Sequence, residues 1–256
     1  MTDAELDELL ADCPSLFHMA EAGSWPSIRR HGLLSTSALL DLYGVEGTAR
    51  AALEDRRRPG TTRLRRAGLD DAVVRDQKPM DDPSLLRCLQ DGLRPVDWYR
   101  LLNGKVFFCL SRRRLDRMLG ARSYRTRAHD VIELRSRPLV ERYRHAITLC
   151  PINSGATRPF PAPRGNDSFL PIDRYPYRYW RARRPRGERV VELAVGRAVP
   201  DLEAFVVRVH RVNPAGADMV VFEQPASARE AVSEHKPSSG AGSEPGATDP
   251  RDARRG

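Results

Sequence analysis

The sequence predicts an α+β domain built on antiparallel or split sheets, and three observations support this fold class. Helical patterns gather in the first half of the chain, whereas short apolar, β-prone runs gather after Asn103-Gly104. Strands and helices do not alternate regularly, which argues against a parallel α/β sheet. No GxGxxG or P-loop glycine pattern occurs, so a Rossmann or Walker-type nucleotide site is not expected.

We expect one domain followed by a disordered tail. The 256 residues suffice for a single well-buried core, which we assign to residues 1–224. From 225 to 256, Pro, Gly, Ser, Ala and mixed charges replace apolar residues, and such a composition cannot offset the entropy of ordering. No apolar run approaches the length of a spanning helix, and the acidic first twenty residues lack the pattern of a secretory leader. The sequence therefore predicts a cytoplasmic protein without membrane contact.

Seven helices are predicted, mainly in the N-terminal half. The first, Ala4–Leu10, has a short amphipathic pattern. Ser24 and Pro26 then open a second helix that stops at His31-Gly32. The remaining helices cover 37–43, 46–58, 83–90, 95–102 and, behind a Ser111 cap, 112–119. Residues 44–100 are interpreted as a helical insert.

Six strands are predicted after Asn103-Gly104, at 105–110, 131–134, 146–149, 190–195, 205–212 and 219–222. The connection from 151 to 189 is rich in Pro and Gly, and it also carries six aromatic residues. Loops of this length in a compact domain are usually functional or disordered. Because the aromatic content argues against disorder, we interpret this segment as a functional surface of the domain.

The basic residues are clustered. The formal net charge is +9, and only three of the 43 basic residues are lysine. Seven arginines lie between Arg50 and Arg66, and seven more between Arg174 and Arg189. This clustering favours a polyanionic partner, although an Arg-rich solvated face is the alternative.

Metal sites are not predicted. The four cysteines (Cys13, Cys88, Cys109 and Cys150) lie far apart among apolar residues without a CxxC pair, so reduced, buried thiols are expected. The run DVIELR has a faint nuclease pattern, but arginine stands where such metal-dependent sites commonly use lysine. Neither the cysteines nor this run places metal ligands at the spacing that a metal site requires.

Three segments carry candidate chemistry. In LFHMAEAGSWPSIRRHGLLS, His18 ends an apolar strand that a helix and a glycine turn follow, which suits the presentation of an imidazole to a ligand. In KVFFCLSRRRLDRML, a serine cap and arginines offer donors to an anion. In RVVELAV, Glu192 lies inside an apolar strand, where a charge is costly unless it is partnered or faces a cleft. Each segment also has a purely structural interpretation. His18 could be a core histidine with its hydrogen bonds satisfied, KVFFCL could be a core strand that precedes a solvated helix, and Glu192 could be exposed to solvent at the edge of a sheet.

Taken in order, these segments resemble the ADP-ribosyltransferase fold, and specifically the DarT-like bacterial toxins that modify DNA bases. That family has a histidine on its first strand, an apolar-aromatic middle strand followed by arginine, and a catalytic glutamate before Val-Pro, which VVELAVGRAVP matches. The resemblance covers roughly half the chain. Ala20 stands where the family usually has Thr, Trp25-Pro26 stands where it has Asn-Leu, and the insert at 44–100 has no counterpart.

The resemblance implies an NAD-dependent mono-ADP-ribosyltransferase, which is a glycosyltransferase, with a place in toxin or phage-defence biology and an antitoxin or hydrolase as partner. Glu192 would stabilise the oxocarbenium-like transition state as nicotinamide leaves the ribose. His18, the second catalytic residue, would hydrogen-bond the adenosine-side ribose. The resemblance places the NAD site at His18, Trp25, Phe107, Phe108, Ser111, Arg112 and Arg113.

The expected acceptor is a nucleic acid, with DNA favoured over RNA. In the fold that the chain resembles, the loop before the glutamate strand faces the acceptor, and here that loop alternates aromatic and guanidinium groups. Stacking on aromatic side chains contributes about 1–3 kcal/mol per base. The residues assigned to substrate binding are Arg75, Asp76, Gln77, Lys78, Tyr177, Tyr179, Trp180 and Arg181. The alternative is that the aromatic residues fix the loop to its own domain and leave the arginines in solvent.

Two other functions stay open from the sequence. A tRNA 2′-phosphotransferase-like enzyme on the same fold would need several basic residues that converge on one phosphate, and no essential glutamate. A non-catalytic nucleic-acid-binding protein would use the arginine and aromatic loop, while Glu192 would have no role.

Overall fold

The computed structural model describes residues 1–158, 161–214 and 216–225. Met1–Gln224 form one compact unit, and Pro225–Gly256 form a second unit. Of the second unit only Pro225 is described, so the predicted disorder of the tail concerns residues outside the described part of the chain. Within the described part, no helix combines the length and the apolar character that a bilayer crossing requires.

Helices and strands are interspersed along the described chain. The helices are α1 (Asp3–Asp12), α2 (Trp25–His31), α3 (Thr36–Tyr43), α4 (Gly47–Glu54), α5 (Asp82–Cys88), α6 (Pro95–Asn103), α7 (Arg112–Leu119), α8 (Ser136–Tyr143) and α9 (Tyr177–Arg181). The strands are β1 (Ser15–Glu21), β2 (Leu33–Leu34), β3 (Thr62–Leu64), β4 (Ala72–Val74), β5 (Lys105–Cys109), β6 (His129–Arg135), β7 (Ile147–Cys150), β8 (Leu170–Pro171), β9 (Glu192–Gly196), β10 (Ala198–Val199), β11 (Val206–Val212) and β12 (Met219–Glu223).

Eight strands form one antiparallel sheet in the order β12-β11-β6-β1-β5-β9-β7-β8. Two short pairs, β2 with β10 and β3 with β4, lie apart from it. The combination of helices with an antiparallel sheet confirms the predicted α+β class.

The sheet consists of two halves that meet at one point. β1 pairs with β6 from Ser15 to Glu21, whereas β1 and β5 share a single register pair, Phe17 opposite Cys109. The strands β12-β11-β6-β1 therefore form one half and β5-β9-β7-β8 the other. Beyond that pair the facing edges of β1 and β5 diverge, and a cleft lies between them.

The main core forms where helices cover the sheet. α1 begins with a capping box, in which Thr2 and Glu5 each accept the backbone N–H of the other. Its buried residues Leu6, Leu9 and Leu10 follow helical spacing and pack with Leu134 of β6 and Leu139 of α8. Leu33 and Val106 of the same core also line the cleft, so the core supports the cleft directly.

The insert differs from its helical prediction. α4 ends at Glu54 and not at residue 58, because the buried guanidinium of Arg58 donates to Leu53 O, Arg75 O and Asn103 Oδ1. After it the chain forms the hairpin β3-β4, in which Leu64 and Val74 are buried with Leu40 and Tyr43. The two strands are only three residues each, too short to give a clear period in the sequence.

Candidate active site

A cleft of about 1160 Å³ lies at the split between β1 and β5. Its lining comes from the strands β1, β5 and β9, from residues 72–77, 79 and 80 of the insert, and from α7. Parts of the segments 24–39, 151–158 and 184–191 also line it. Its described lining holds eight basic side chains (Arg58, Arg75, Lys105, Arg113, Arg114, Arg117, Arg158 and Arg184) against four carboxylates (Glu21, Asp76, Glu188 and Glu192). The excess of positive charge suits an anionic ligand.

His18 lies on β1 at the split, with Nδ1 2.9 Å from the carbonyl oxygen of Phe107 on β5. Because a carbonyl only accepts, Nδ1 carries the hydrogen and Nε2 is left as an acceptor. Burial lowers the pKa of the imidazole to about 4, although the contact with Phe107 opposes the shift. His18 is therefore neutral at pH 7 and can accept a hydrogen bond from a ligand hydroxyl.

Glu192 is the first residue of β9 and lines the same cleft as His18. Its cross-strand neighbours are Cys109 on β5 and Cys150 on β7, both free thiols. Burial raises the pKa of the Glu192 carboxyl to about 7, against the lowering effect of hydrogen bonds from Ser154. No described basic residue forms an ion pair with it, in contrast to the other three carboxylates of the cleft.

A buried arginine supports the segment that contacts Glu192. The Ser154 backbone N–H donates to Oε1 at 3.1 Å and to Oε2 at 3.3 Å. The Ser154 carbonyl in turn accepts from Trp98 Nε1 at 3.3 Å and from Arg164 Nη1 at 3.0 Å. Arg164 is 1% exposed, and it also donates to the carbonyls of Ala156 and Ala162. The loop thus folds around one guanidinium, which holds the Ser154 amide against the carboxylate.

Strand alternation separates the two phenylalanines of β5. Phe107 lines the cleft and packs edge-on against Phe169, whereas Phe108 is 1% exposed and belongs to the core. The resemblance places both residues at the NAD site, but of the two only Phe107 lines the cleft, because successive side chains of a strand point to opposite faces.

The insert builds one wall of the cleft. Arg75, Asp76 and Gln77 line it, while Lys78 is exposed outside it. Arg75 Nη1 donates to Met19 O at 2.7 Å, and its buried Nη2 has no partner among the described residues. The Asp76 side chain is fully buried and pairs with Arg127 at 2.9 Å. Asp76 therefore stabilises the wall, and Arg75 retains a donor for a ligand.

Three of the remaining residues assigned to NAD lie outside the cleft. Trp25 is 4% exposed and packs against Phe222, because α2 turns its ring toward β12. Ser111 caps α7 by accepting the N–H of Arg114. Arg112 pairs with Asp116 along the helix at 2.8 Å. Of the predicted arginines, Arg113 lines the cleft.

The four residues of the predicted acceptor loop that were assigned to substrate binding also lie outside the cleft, although Arg184 at the end of that loop lines it. Tyr177 is 1% exposed, and its hydroxyl accepts a hydrogen bond from Arg189. Arg183 covers the Tyr179 ring and Arg184 covers the Trp180 ring, at 3.7 and 3.9 Å from the centroids. Arg181 pairs with Glu8 of α1. For Tyr177, Trp180 and Arg181, attachment of the loop to its own domain describes the contacts, whereas Tyr179 is 49% exposed and contacts only its loop neighbours Trp180 and Arg183 among the described residues.

Sequence reasoning missed Arg164, Ser154 and Arg117 of α7, although it named Arg114 among the arginines that could bind an anion. A fully buried arginine in a Pro- and Gly-rich stretch has no local pattern that separates it from the solvated arginines nearby. The side of α7 that faces the cleft depends on how the helix packs on β1 and β5.

The comparisons with known proteins identify the family of the chain and no further property of it. A search among curated proteins finds no match to the chain. Residues 14–206 match the model of a family described as "Family of unknown function (DUF7002)". That match includes His18, Glu192 and the strands from β1 to β10, it ends at the start of β11, and it covers well over half of the chain. The protein belongs to the DUF7002 family.

Proposed function

We propose that the protein is an NAD-dependent mono-ADP-ribosyltransferase that modifies a nucleic acid, DNA before RNA. The observation that carries the proposal is the presence of His18, Phe107 and Glu192 in one cleft, on the neighbouring strands β1, β5 and β9. These residues supply a hydroxyl acceptor, an aromatic face and a carboxylate that forms no ion pair with a described residue. NAD has matching groups: ribose hydroxyls, a nicotinamide ring and a positive charge at the bond to be broken.

The chain's own groups account for the chemistry. The bond between the ribose carbon and the nicotinamide nitrogen breaks, and its electron pair leaves with nicotinamide. Glu192 stabilises the positive charge that develops on the ribose, and the cation beside it favours the ionised carboxylate. The acceptor atom then forms the new bond to the ribose carbon, and its proton passes to Glu192.

Binding uses other residues of the cleft. His18 Nε2 accepts a hydrogen bond from a ribose hydroxyl, since Nδ1 is committed to Phe107 O. Phe107 offers a ring to the nicotinamide, and the unpartnered Nη2 of Arg75 offers a donor to the diphosphate. The lining holds more basic than acidic side chains, and this positive charge favours binding of the diphosphate of a dinucleotide in the same cleft.

Replacement of Glu192 by Gln tests the proposal. Release of nicotinamide from NAD should fall by about 100-fold or more, while oligonucleotide binding is retained. Glu203→Gln, which removes an exposed carboxylate paired with Arg29, is the matched control and should leave the rate unchanged. A wild-type protein that releases no nicotinamide would contradict the enzyme proposal. A 2′-phosphotransferase would instead process a 2′-phosphorylated RNA equally well with and without Glu192.

A further inference from the structure

Four arginines line the cleft without a carboxylate partner among the described residues. Arg58 is buried and donates to two backbone carbonyls and to Asn103, whereas the side chains of the other three are at least partly exposed. Arg113 and Arg117 lie one turn apart on α7 and are exposed, and Arg184 follows α9. We name these three residues the basic rim. Two other arginines that line the same region are neutralised: Arg114 pairs with Glu188, and Arg158 pairs with Asp81 at 2.7 Å.

The basic rim is unfavourable for the stability of α7. Like charges at positions i and i+4, such as Arg113 and Arg117, destabilise a helix by about 0.2–0.5 kcal/mol. Positive charge in the first turn also opposes the helix dipole, and α7 carries three arginines there and no acidic residue. The dipole favours a cation at Arg117 in the last turn, but folding alone would favour an acidic residue at position 113 in the first turn. The unpaired arginine at 113 and its repulsion from Arg117 therefore point to an anion that neutralises the charge.

Side chains, not backbone amides, make up this surface. The Ser111 side chain already accepts the N–H of Arg114 at the start of α7. Arg184 is held in place, since Nη1 donates to Pro151 O at 2.7 Å and the guanidinium covers the Trp180 ring. A charge that is fixed before binding loses less entropy when the anion arrives.

We propose that the basic rim binds the phosphodiester backbone of the acceptor nucleic acid and presents one of its bases to Glu192. This inference rests on the proposed function and changes the location of the acceptor from the predicted Tyr177–Arg181 surface to α7. Guanidinium groups bind phosphate oxygens through two parallel hydrogen bonds. The cleft exceeds the roughly 300–1,000 Å³ usual for one small ligand, which leaves room for a base beside a dinucleotide.

Binding of a fluorescent 20-nucleotide single strand, measured against salt with the full chain, tests the inference. The double variant Arg113→Gln/Arg117→Gln should weaken binding by at least tenfold and reduce the salt slope by about 1.4, because each lost phosphate contact contributes about 0.7 on a single strand. The matched control Arg56→Gln/Arg87→Gln removes two exposed arginines outside the cleft and should bind as the wild type does. Arg174→Gln/Arg178→Gln removes the same charge from the loop that the sequence favoured.

The outcomes separate the interpretations. The double variant at 113 and 117 should be at least as heat-stable as the wild type, because it removes repulsion from α7, so a loss of binding cannot be explained by unfolding. Binding that depends on Arg174 and Arg178 instead, or equally on all three pairs, would overturn the inference. Capture of a poly-glutamate peptide in place of the oligonucleotide would also overturn it in favour of an acidic protein partner. Rim-dependent binding without release of nicotinamide from NAD would refute the enzyme proposal and leave the rim intact.

Discussion

The backbone N–H of Ser154 donates to both carboxylate oxygens of Glu192, at 3.1 and 3.3 Å. This contact joins residues 38 positions apart in the sequence, and it opposes the burial that raises the pKa of Glu192 to about 7. The carboxylate is therefore held in one orientation and is partly ionised near neutral pH. Both properties suit a group that must stabilise positive charge beside a ribose.

The pH dependence of turnover should report the ionisation of Glu192. Because the ionised form stabilises the developing cation, kcat/KM for NAD should rise with pH with an apparent pKa near 7, the value for the free enzyme. His18 stays neutral down to about pH 4 and should add no second limb near neutrality. Initial rates of nicotinamide release across a buffer series measure the profile, and a rate that is flat through neutral pH would contradict this role of Glu192.

The same carboxyl makes stability fall as pH rises. In the unfolded chain it loses its proton near 4.5, whereas in the folded chain it keeps the proton to about 7, so the folded state binds more protons between these values. The stabilising effect is complete below about pH 4.5 and is lost as pH rises through 7. Glu192→Gln should therefore raise the free energy of unfolding relative to the wild type at pH 8 by about 1–3 kcal/mol, with little gain at pH 4.5.

Urea unfolding at the two pH values measures this difference. Glu203→Gln, at an exposed carboxylate, should show no such pH-dependent gain. An equal effect of Glu192→Gln at both pH values would mean that the carboxyl titrates normally in the folded protein.

Arg164 should act as a positioning residue for Glu192. Arg164→Lys cannot reach all three carbonyl acceptors, so the protein should lose about 2–4 kcal/mol of stability. As the Ser154 amide moves away, the apparent pKa in the kcat/KM profile should rise above that of the wild type. Arg189→Lys changes another buried arginine, which pairs with Glu8 and Asp12, and should lower stability without moving that pKa. An unmoved profile in Arg164→Lys would reduce its role to folding.

Alanine substitutions of the two phenylalanines of β5 should have different effects, one on the binding of NAD and the other on the stability of the fold. Phe107→Ala removes a cleft residue and should raise KM for NAD about 3- to 10-fold at a small cost in stability. Phe108→Ala empties a core site and should cost about 3–5 kcal/mol of stability. Thermal unfolding and steady-state kinetics of both variants measure the two effects, and a reversal would mean that the alternation of β5 is the opposite of that described.

Gly32 should tolerate alanine far less well than Gly23. Both have positive φ values, +75° and +87°, so each substitution carries about 1–2 kcal/mol of backbone strain. A Cβ at Gly32 would lie 2.4 Å from Pro200 Cα, whereas at Gly23 it would meet nothing within 4 Å. Denaturant unfolding should show that Gly32→Ala loses at least about 2 kcal/mol more than Gly23→Ala. Equal losses would mean that Pro200 yields at little cost.

Much of the fold could be predicted because its signals are local. Apolar runs indicated the strands around Val106, Val131 and Leu193, and cap residues such as Ser111 indicated where helices begin. α8 was missed because Pro138 interrupts its apolar pattern, although proline is tolerated in a first helical turn. The order of the strands could not be predicted, since pairing depends on contacts between distant parts of the chain.

The sequence by itself determined the α+β class and singled out His18 and Glu192, because a lone imidazole and a carboxylate within apolar strands stand out from their neighbours. Tertiary structure decided that both line one cleft, that Phe107 and not Phe108 joins them, and that the insert forms a wall. It also decided which arginines are free to bind an anion, since that depends on whether a carboxylate from a distant segment lies within reach. The physical reason is that side-chain chemistry is local, whereas burial and charge pairing are set by the packing of the whole chain.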